Sequence, residues 1–450
     1  MSTTQIGVTL LLLISLCSFA NADWPRFRGP NGEGIAEQAG PLPTKWSNDE
    51  NVAWKAPLPG PGVSSPIIVG DRVFVTSYSG YGIDRTDPGE MSDLKRHLVC
   101  IDLNTGKTLW DKSVAAVLPE DPYSGMGVPS HGYASHTPVS DGERVYVFFG
   151  KTGALAFDFD GNQLWQTGVG TESDPRRWGS ASSPVLYENV LIVTAAAESE
   201  AVVGLDTATG KELWRKEASG LSNTWGTPVL ARIDDQRTDL VLGVPYEVWG
   251  FDPTNGKFRW YCEAMGADQY SPSVVTANGV IFGMASSRGG GGSVAIRPGG
   301  DGDVTETAIL WTGDDSSRFA TPLVYENRLY SLDGSIANCF DATTGERIYR
   351  SRMSAGSAAN ANEGQQGGRR GRRGFGMGGG DYSSPVIGDG KIYFTKSSGQ
   401  TFVVQTGDKY EQIAVNSLGD GREVFSGSPA ISDGSIFLRS NSNLYRIKAD

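Results

Sequence analysis

Short runs in which apolar and polar residues alternate, separated by turn residues, recur from Asn51 to the C-terminus. Alternation of period two is the mark of a strand with one buried face. The stretch 183–216 is typical. It predicts a first strand (A) on Ser183-Pro184-Val-Leu-Tyr187, a second (B) from Asn189 to Ala195, a third (C) from Ala201 to Asp206 and a fourth (D) from Glu212 to Lys216. A Ser-Pro or Thr-Pro step opens each unit, at Pro66, Pro138, Pro184, Pro228, Pro272, Pro322, Pro385 and Pro429. Eight units of four short antiparallel strands predict an all-β, eight-bladed β-propeller.

The C–D hairpins carry a second pattern. Cys100-Ile-Asp102-Leu-Asn-Thr105-Gly106-Lys107-Thr-Leu-Trp110 is repeated in spacing from Gly204 to Trp214, from Gly250 to Trp260 and from Cys339 to Tyr349. Asp opens the turn by bonding its own backbone, and Gly takes the φ > 0 position. A Trp on strand D offers roughly 150–250 Å² of ring, more than one thin sheet can cover, so it must dock on a neighbouring repeat. Trp54, Trp110, Trp165, Trp214, Trp260 and Trp311 are therefore expected to be structural. The unit opening at Pro385 has Gln412-Ile413 in place of the aromatic.

The last unit ends after its strand C, from Leu444 to Lys448, whereas Asn51-Val-Ala-Trp54-Lys is a strand D with no unit of its own. The N-terminal strand is expected to complete the C-terminal blade, with Trp54 near Tyr445, leaving no open edge. Residues 23–50, rich in Pro and Gly, read as an ordered cap without regular strands.

Residues 1–22 read as a cleaved signal peptide, an apolar run too short to span a membrane followed by Ala20-Asn-Ala22. A periplasmic or secreted protein is expected. Lipidation at Cys17 is disfavoured by the bulky Leu16 before it. The net charge of −12 argues against nucleic acid as a partner. Cys100, Cys262 and Cys339 read as buried hydrophobes rather than bridges. His97, His131 and His136 do not have metal-site spacing, and no metal is expected. Gly299-Gly-Asp301-Gly-Asp303 reads as a long hairpin rather than a calcium loop. The Gly/Arg-rich stretch 351–380, containing Arg369, Arg370, Arg372 and Arg373, reads as a disordered loop.

The Asp-x-x-Thr-Gly-Lys-x-x-Trp motif resembles the tryptophan-docking repeat of pyrroloquinoline quinone (PQQ) propellers, and Trp24-Pro-Arg-Phe-Arg-Gly-Pro-Asn-Gly32 is similar to the start of many secreted members. The resemblance covers nearly all of residues 23–450. It implies the propeller fold, and either a quinoprotein dehydrogenase or a non-catalytic propeller of the BamB kind.

Strand order sends the B–C loops and the D-to-A links to one face and the tight turns to the other. Insertions at Tyr78–His97, Val114–His136, Ser286–Ser293 and Ser351–Gly380 all fall on the first, the loop face, where binding is expected. Aromatics precede the opening prolines there: Tyr133, Trp178, Trp225, Tyr270, Phe319, Tyr382 and Phe425, with Arg177, Arg318 and Asp268 among them. They are the candidate binding residues, and filling of the space between blades is the competing role. The chain lacks the adjacent cysteine pair of the dehydrogenases. The reading is an exported, monomeric, non-catalytic scaffold with no expected cofactor, holding an envelope protein or polysaccharide. The alternative is a PQQ- and calcium-dependent dehydrogenase of alcohols or sugars.

Overall fold

The computed structural model describes residues 23–355 and 381–449. The proposed signal peptide and most of the Gly/Arg-rich stretch lie outside the described residues. Eight antiparallel sheets follow one another along the chain, each opening one to three residues after one of the eight prolines. Seven take their four main strands from one continuous stretch of the chain. Blade three shows the common form, with strands Val185–Tyr187, Val190–Ala195, Ala201–Asp206 and Glu212–Glu217.

In blade eight, strands Ala430–Ser432, Ser435–Arg439 and Asn443–Lys448 are joined on the outside by the N-terminal strand Val52–Pro57, with Lys55 opposite Tyr445. Two blades gain a fifth strand. Gly302–Asp303 lies in the long hairpin that joins the antiparallel strands Gly290–Ile296 and Ile309–Gly313, as expected, and also runs parallel to the outer strand of blade four, covering that edge. Ile35–Ala36 runs parallel to the inner strand of blade seven.

Five of the six docking tryptophans, all but Trp260, reach the hairpin of the following blade. The indole N–H donates to the carbonyl just after the turn aspartate: Trp54 to Leu103, Trp110 to Phe159, Trp165 to Thr207 and Trp311 to Ala342, at 2.8–3.0 Å. The turn glycine lies beneath the ring. A Cβ at Gly256, where φ is +70°, would stand 2.4 Å from the Trp214 ring. The spacing of Asp, Gly and Trp thus encodes contacts between blades. Trp260 differs, donating instead to the fully buried Asp239 (2.8 Å), which is also paired with Arg237 and Arg259.

A second ring of contacts runs round the inner strands. The N–H of the Ser or Thr at each blade entrance donates to the hydroxyl of its counterpart in the next blade: Ser65 to Thr137, Thr137 to Ser183, Ser183 to Thr227, Thr227 to Ser273, Ser273 to Thr321, Thr321 to Ser384 and Ser384 to Ser428. All seven distances lie between 2.8 and 3.0 Å. At the seam between blades eight and one, the fully buried Arg439 donates to the Ser64 carbonyl (3.0 Å) and to Ser77 Oγ (3.3 Å). Burial pulls its pKa down to about 9.

The cap segment crosses the ring and closes the channel at the turn face. Trp24 pairs with Ile68 of blade one, and the Ser140 N–H of blade two donates to the Pro25 carbonyl. Arg28, buried completely, donates to the carbonyls of Pro322 (2.8 Å) and Pro385 (3.2 Å) at the entrances of blades six and seven. The cap is therefore a plug, with one short strand that the Pro and Gly content concealed.

Two loop-face insertions differ from expectation. Residues 286–293 form a tight hairpin between strands Val280–Ser287 and Gly290–Ile296, not a long loop. Ser351 and Arg352 belong to the last strand of blade six. Cys100, Cys262 and Cys339 are buried and unbridged.

Candidate functional site

Above the plug, the channel opens to the loop face as a cavity of about 210 Å³. Phe27 of the plug forms part of its floor, and the entrance hydroxyls of all eight blades line it. Each of seven of these hydroxyls already accepts a backbone N–H, which leaves its own proton to point elsewhere.

The aromatic series divides. Trp178, Trp225, Phe319 and Tyr382 line the cavity, each half-buried. They form two pairs, Trp178 with Trp225 (centroids 5.5 Å apart, 31° between planes) and Phe319 with Tyr382 (4.4 Å, 45°). Tyr133, Tyr270 and Phe425 do not reach it. Tyr133 belongs to a buried cluster with Tyr78, Tyr81 and Tyr123, and its hydroxyl donates to the Asp121 carbonyl. Tyr270 packs into the core of blades four and five, and Phe425 lies between blades seven and eight, against Tyr445 and beside Gly399. These three fill space between elements, the competing role foreseen for the whole series.

Sequence offset tracks this division. Trp225, Phe319 and Tyr382 all stand three residues ahead of their proline, while Tyr270, Phe425 and Tyr133 stand two, four and five ahead. Trp178, six residues ahead, is brought in by Asp174, whose carboxylate accepts the N–H groups of Arg176, Trp178 and Gly179 at 2.8–3.0 Å.

The arginines also sort. Arg318 is exposed at the rim with its guanidinium 4.9 Å from the Phe319 ring centroid. Arg177 is exposed and does not line the cavity, whereas Arg176 lies over the Trp178 ring (5.5 Å) and is held by Gln269 (2.6 Å) and Asp268 (3.3 Å).

Sequence reading missed what lies behind the Trp178 wall. A cavity of about 30 Å³ is lined by Arg96, Glu120, His136, Lys151 and Glu198, and shares His131 and Trp178 with the channel. Arg96 pairs with Glu120, and Lys151 donates to Ser173 (2.8 Å), which donates to Asp121 (2.6 Å). Burial pushes the Glu198 carboxyl up to about 7 and holds His136 well below its ordinary value. Glu198 Oε2 and His136 Nδ1 have no hydrogen-bond partner among the described residues. No sequence periodicity marks these residues, because they come from a link, two B–C connections and a strand.

A quinone with calcium would require carboxylate and amide oxygens free to face the ion. Glu120 and Asp121 are already engaged by Arg96 and by Lys151 and Ser173, and among the described residues no three His, Cys, Asp or Glu side chains are grouped to hold a metal. The residues present do not fit that cofactor pair.

Residues 94–278 match the family described as outer membrane protein assembly factor BamB. No curated protein matches the sequence. Among solved structures, BamB from Moraxella catarrhalis superposes with a TM-score of 0.52 at 12% identity, over 90% of this chain and 97% of that one. A europium-containing methanol dehydrogenase gives 0.59 at 11% identity, over 93% and 89%. The computationally designed Ika8 protein gives 0.53 at 11%, over 87% and 99%. Identities this low speak for fold alone. Together with the eight sheets and the docked tryptophans, they show an eight-bladed β-propeller, similar in architecture to that BamB and that methanol dehydrogenase.

Proposed function

We propose that the protein is an exported binding scaffold of the cell envelope whose loop-face cavity receives a polysaccharide chain. The observation that carries this reading is the pairing of aromatic walls with a hydroxyl-lined interior closed below by Phe27. Pyranose rings present flat C–H faces that pack on aromatic rings, and their equatorial hydroxyls exchange hydrogen bonds with serine and threonine. A small polar set inside an apolar-walled cleft is how ligand pockets combine affinity with orientation. Arg318 and Arg176 at the rim favour an acidic sugar.

The test is a glycan microarray followed by calorimetry with the best oligosaccharide, beside a titration with PQQ and calcium under dye-linked alcohol turnover. Saturable glycan binding that falls at least about tenfold in Trp225→Ala, with the melting temperature nearly unchanged, supports the reading. Binding of an envelope protein instead, unaffected by Trp225→Ala, would move the partner site off the channel. PQQ quenching with turnover would replace the scaffold by a dehydrogenase.

A further inference from the structure

We propose that Ser79, His97 and Asp111 form a serine-hydrolase site on blade one, outside the channel, acting on carboxylic esters. His97 Nδ1 lies 2.8 Å from Asp111 Oδ1, and His97 Nε2 lies 2.7 Å from Ser79 Oγ. The sheet register produces this line. Strands Arg72–Ser79, Lys95–Asp102 and Thr108–Ala115 are neighbours, with Ser79 opposite Lys95 and Asp111 opposite Val99. Ser79 and Asp111 are therefore diagonal to His97 on either side, and all three side chains project from one face of the sheet.

Accessibility separates Ser79 from its neighbour. Ser77, directly opposite His97, is fully buried and accepts from Arg439, whereas Ser79 is half-buried at the loop-face end of its strand. The Asp111 side chain is 34% exposed and His97 9%. The lower part of the same face, including Val73, Val75 and Val99, packs into the core shared with blade eight. None of the three residues lines the channel cavity.

The chemistry follows from the tautomer that the contacts select. A carboxylate accepting the Nδ1 proton leaves the Nε2 lone pair facing the serine hydroxyl. As Ser79 Oγ bonds to the acyl carbon of an ester, its proton passes to Nε2. The ester C–O bond then breaks, and the alcohol leaves with that proton. Water attacks the acyl-serine, gives a proton to Nε2 in the same way, and frees the acid and the serine, so that ester and water become acid and alcohol. The residue after the serine is Gly80, beyond the last ladder pair and at φ +85°. Its N–H occupies the chain position from which serine hydrolases supply one oxyanion donor.

The experiment uses the folded chain with a fluorophosphonate probe, which bonds phosphorus to an activated serine oxygen and expels fluoride, with the adduct mapped by peptide mass spectrometry. A single adduct on Ser79, absent in Ser79→Ala, is expected, with 4-nitrophenyl acetate hydrolysis lost in parallel. Asp111→Asn, isosteric and on an outer strand, should slow labelling about 100-fold or more while circular dichroism stays native. No adduct at Ser79 in the native protein, or a labelling rate unchanged in a folded Asp111→Asn variant, would make the three residues a structural hydrogen-bond line and overturn the proposal.

Discussion

Two aromatic series repeat blade by blade, one at the rim of the ring and one at the channel mouth, and the rim series, Trp260 apart, is the more uniform in environment. At the rim, tryptophan meets the turn glycine and the carbonyl of the following blade, and the contact partners are themselves part of the repeat. At the mouth, each aromatic meets a link of different length and shape. Four rings face the cavity and three are walled in. A repeated residue is structural where its surroundings repeat too. Where the surroundings vary, position alone does not decide between packing and recognition.

That contrast can be broken or sharpened by substitution. The largest losses should come from the fully buried rings. Trp260→Ala removes a fully buried side chain and strands Asp239 beside two arginines, and Phe425→Ala opens a gap between blades seven and eight. Each should cost about 3–5 kcal/mol in urea unfolding. Phe425→Ala should leave glycan binding intact while Trp225→Ala weakens it, although both stand ahead of an opening proline. Equal effects of the two on stability and on binding would dissolve the distinction.

Gly256→Ala places a Cβ against Trp214 at a positive φ and should cost about 1–3 kcal/mol. Ser183→Ala leaves the Thr137 N–H without its acceptor, for a similar cost of about 1–3 kcal/mol. If the alanine variant is as stable as the parent, the hydroxyl ring does not hold the blades together.

The last effect shows in a change of pH profile. Glu198 titrates at about 7 in the folded protein against an ordinary 4.5, so the unfolded chain gives up this proton first. Its contribution to stability is therefore full below pH 4.5 and is lost as pH rises towards 7. His136, held neutral when folded, works in the opposite direction, withdrawing stability as pH falls through the ordinary histidine value. The stability of Glu198→Gln relative to the parent should climb between pH 4.5 and 7, by about 1–3 kcal/mol, and stay level above. A difference independent of pH would mean the carboxyl is solvated.

The architecture was legible because alternation, opening prolines and Asp-x-x-Thr-Gly turns are local signals that each strand carries for itself. The plug was not, since Arg28 finds its partners at Pro322 and Pro385, almost three hundred residues and more away in the chain. The buried group around Glu198 was likewise invisible, being assembled from separate blades. The hydroxyl ring was in plain sight beside the eight opening prolines, but the proline drew attention to the turn while a neighbouring Ser or Thr, the one before it in every blade but the fifth, supplied the bond. Within the mouth series, the recurring three-residue offset of Trp225, Phe319 and Tyr382 was the readable sign of a shared direction.

The sharing of blade eight between the two ends of the chain sets an order of events during synthesis. Val52–Pro57 is made well before its ladder partner Asn443–Lys448, which follows it by almost four hundred residues. Until then a strand edge stands unpaired at each end of a growing arc, open to pairing with other chains. Closure waits for the strands of blade eight, and their translation is the moment at which an aggregation-prone arc becomes a closed ring. A stop codon within that blade would leave most of the structure made and its two ends exposed.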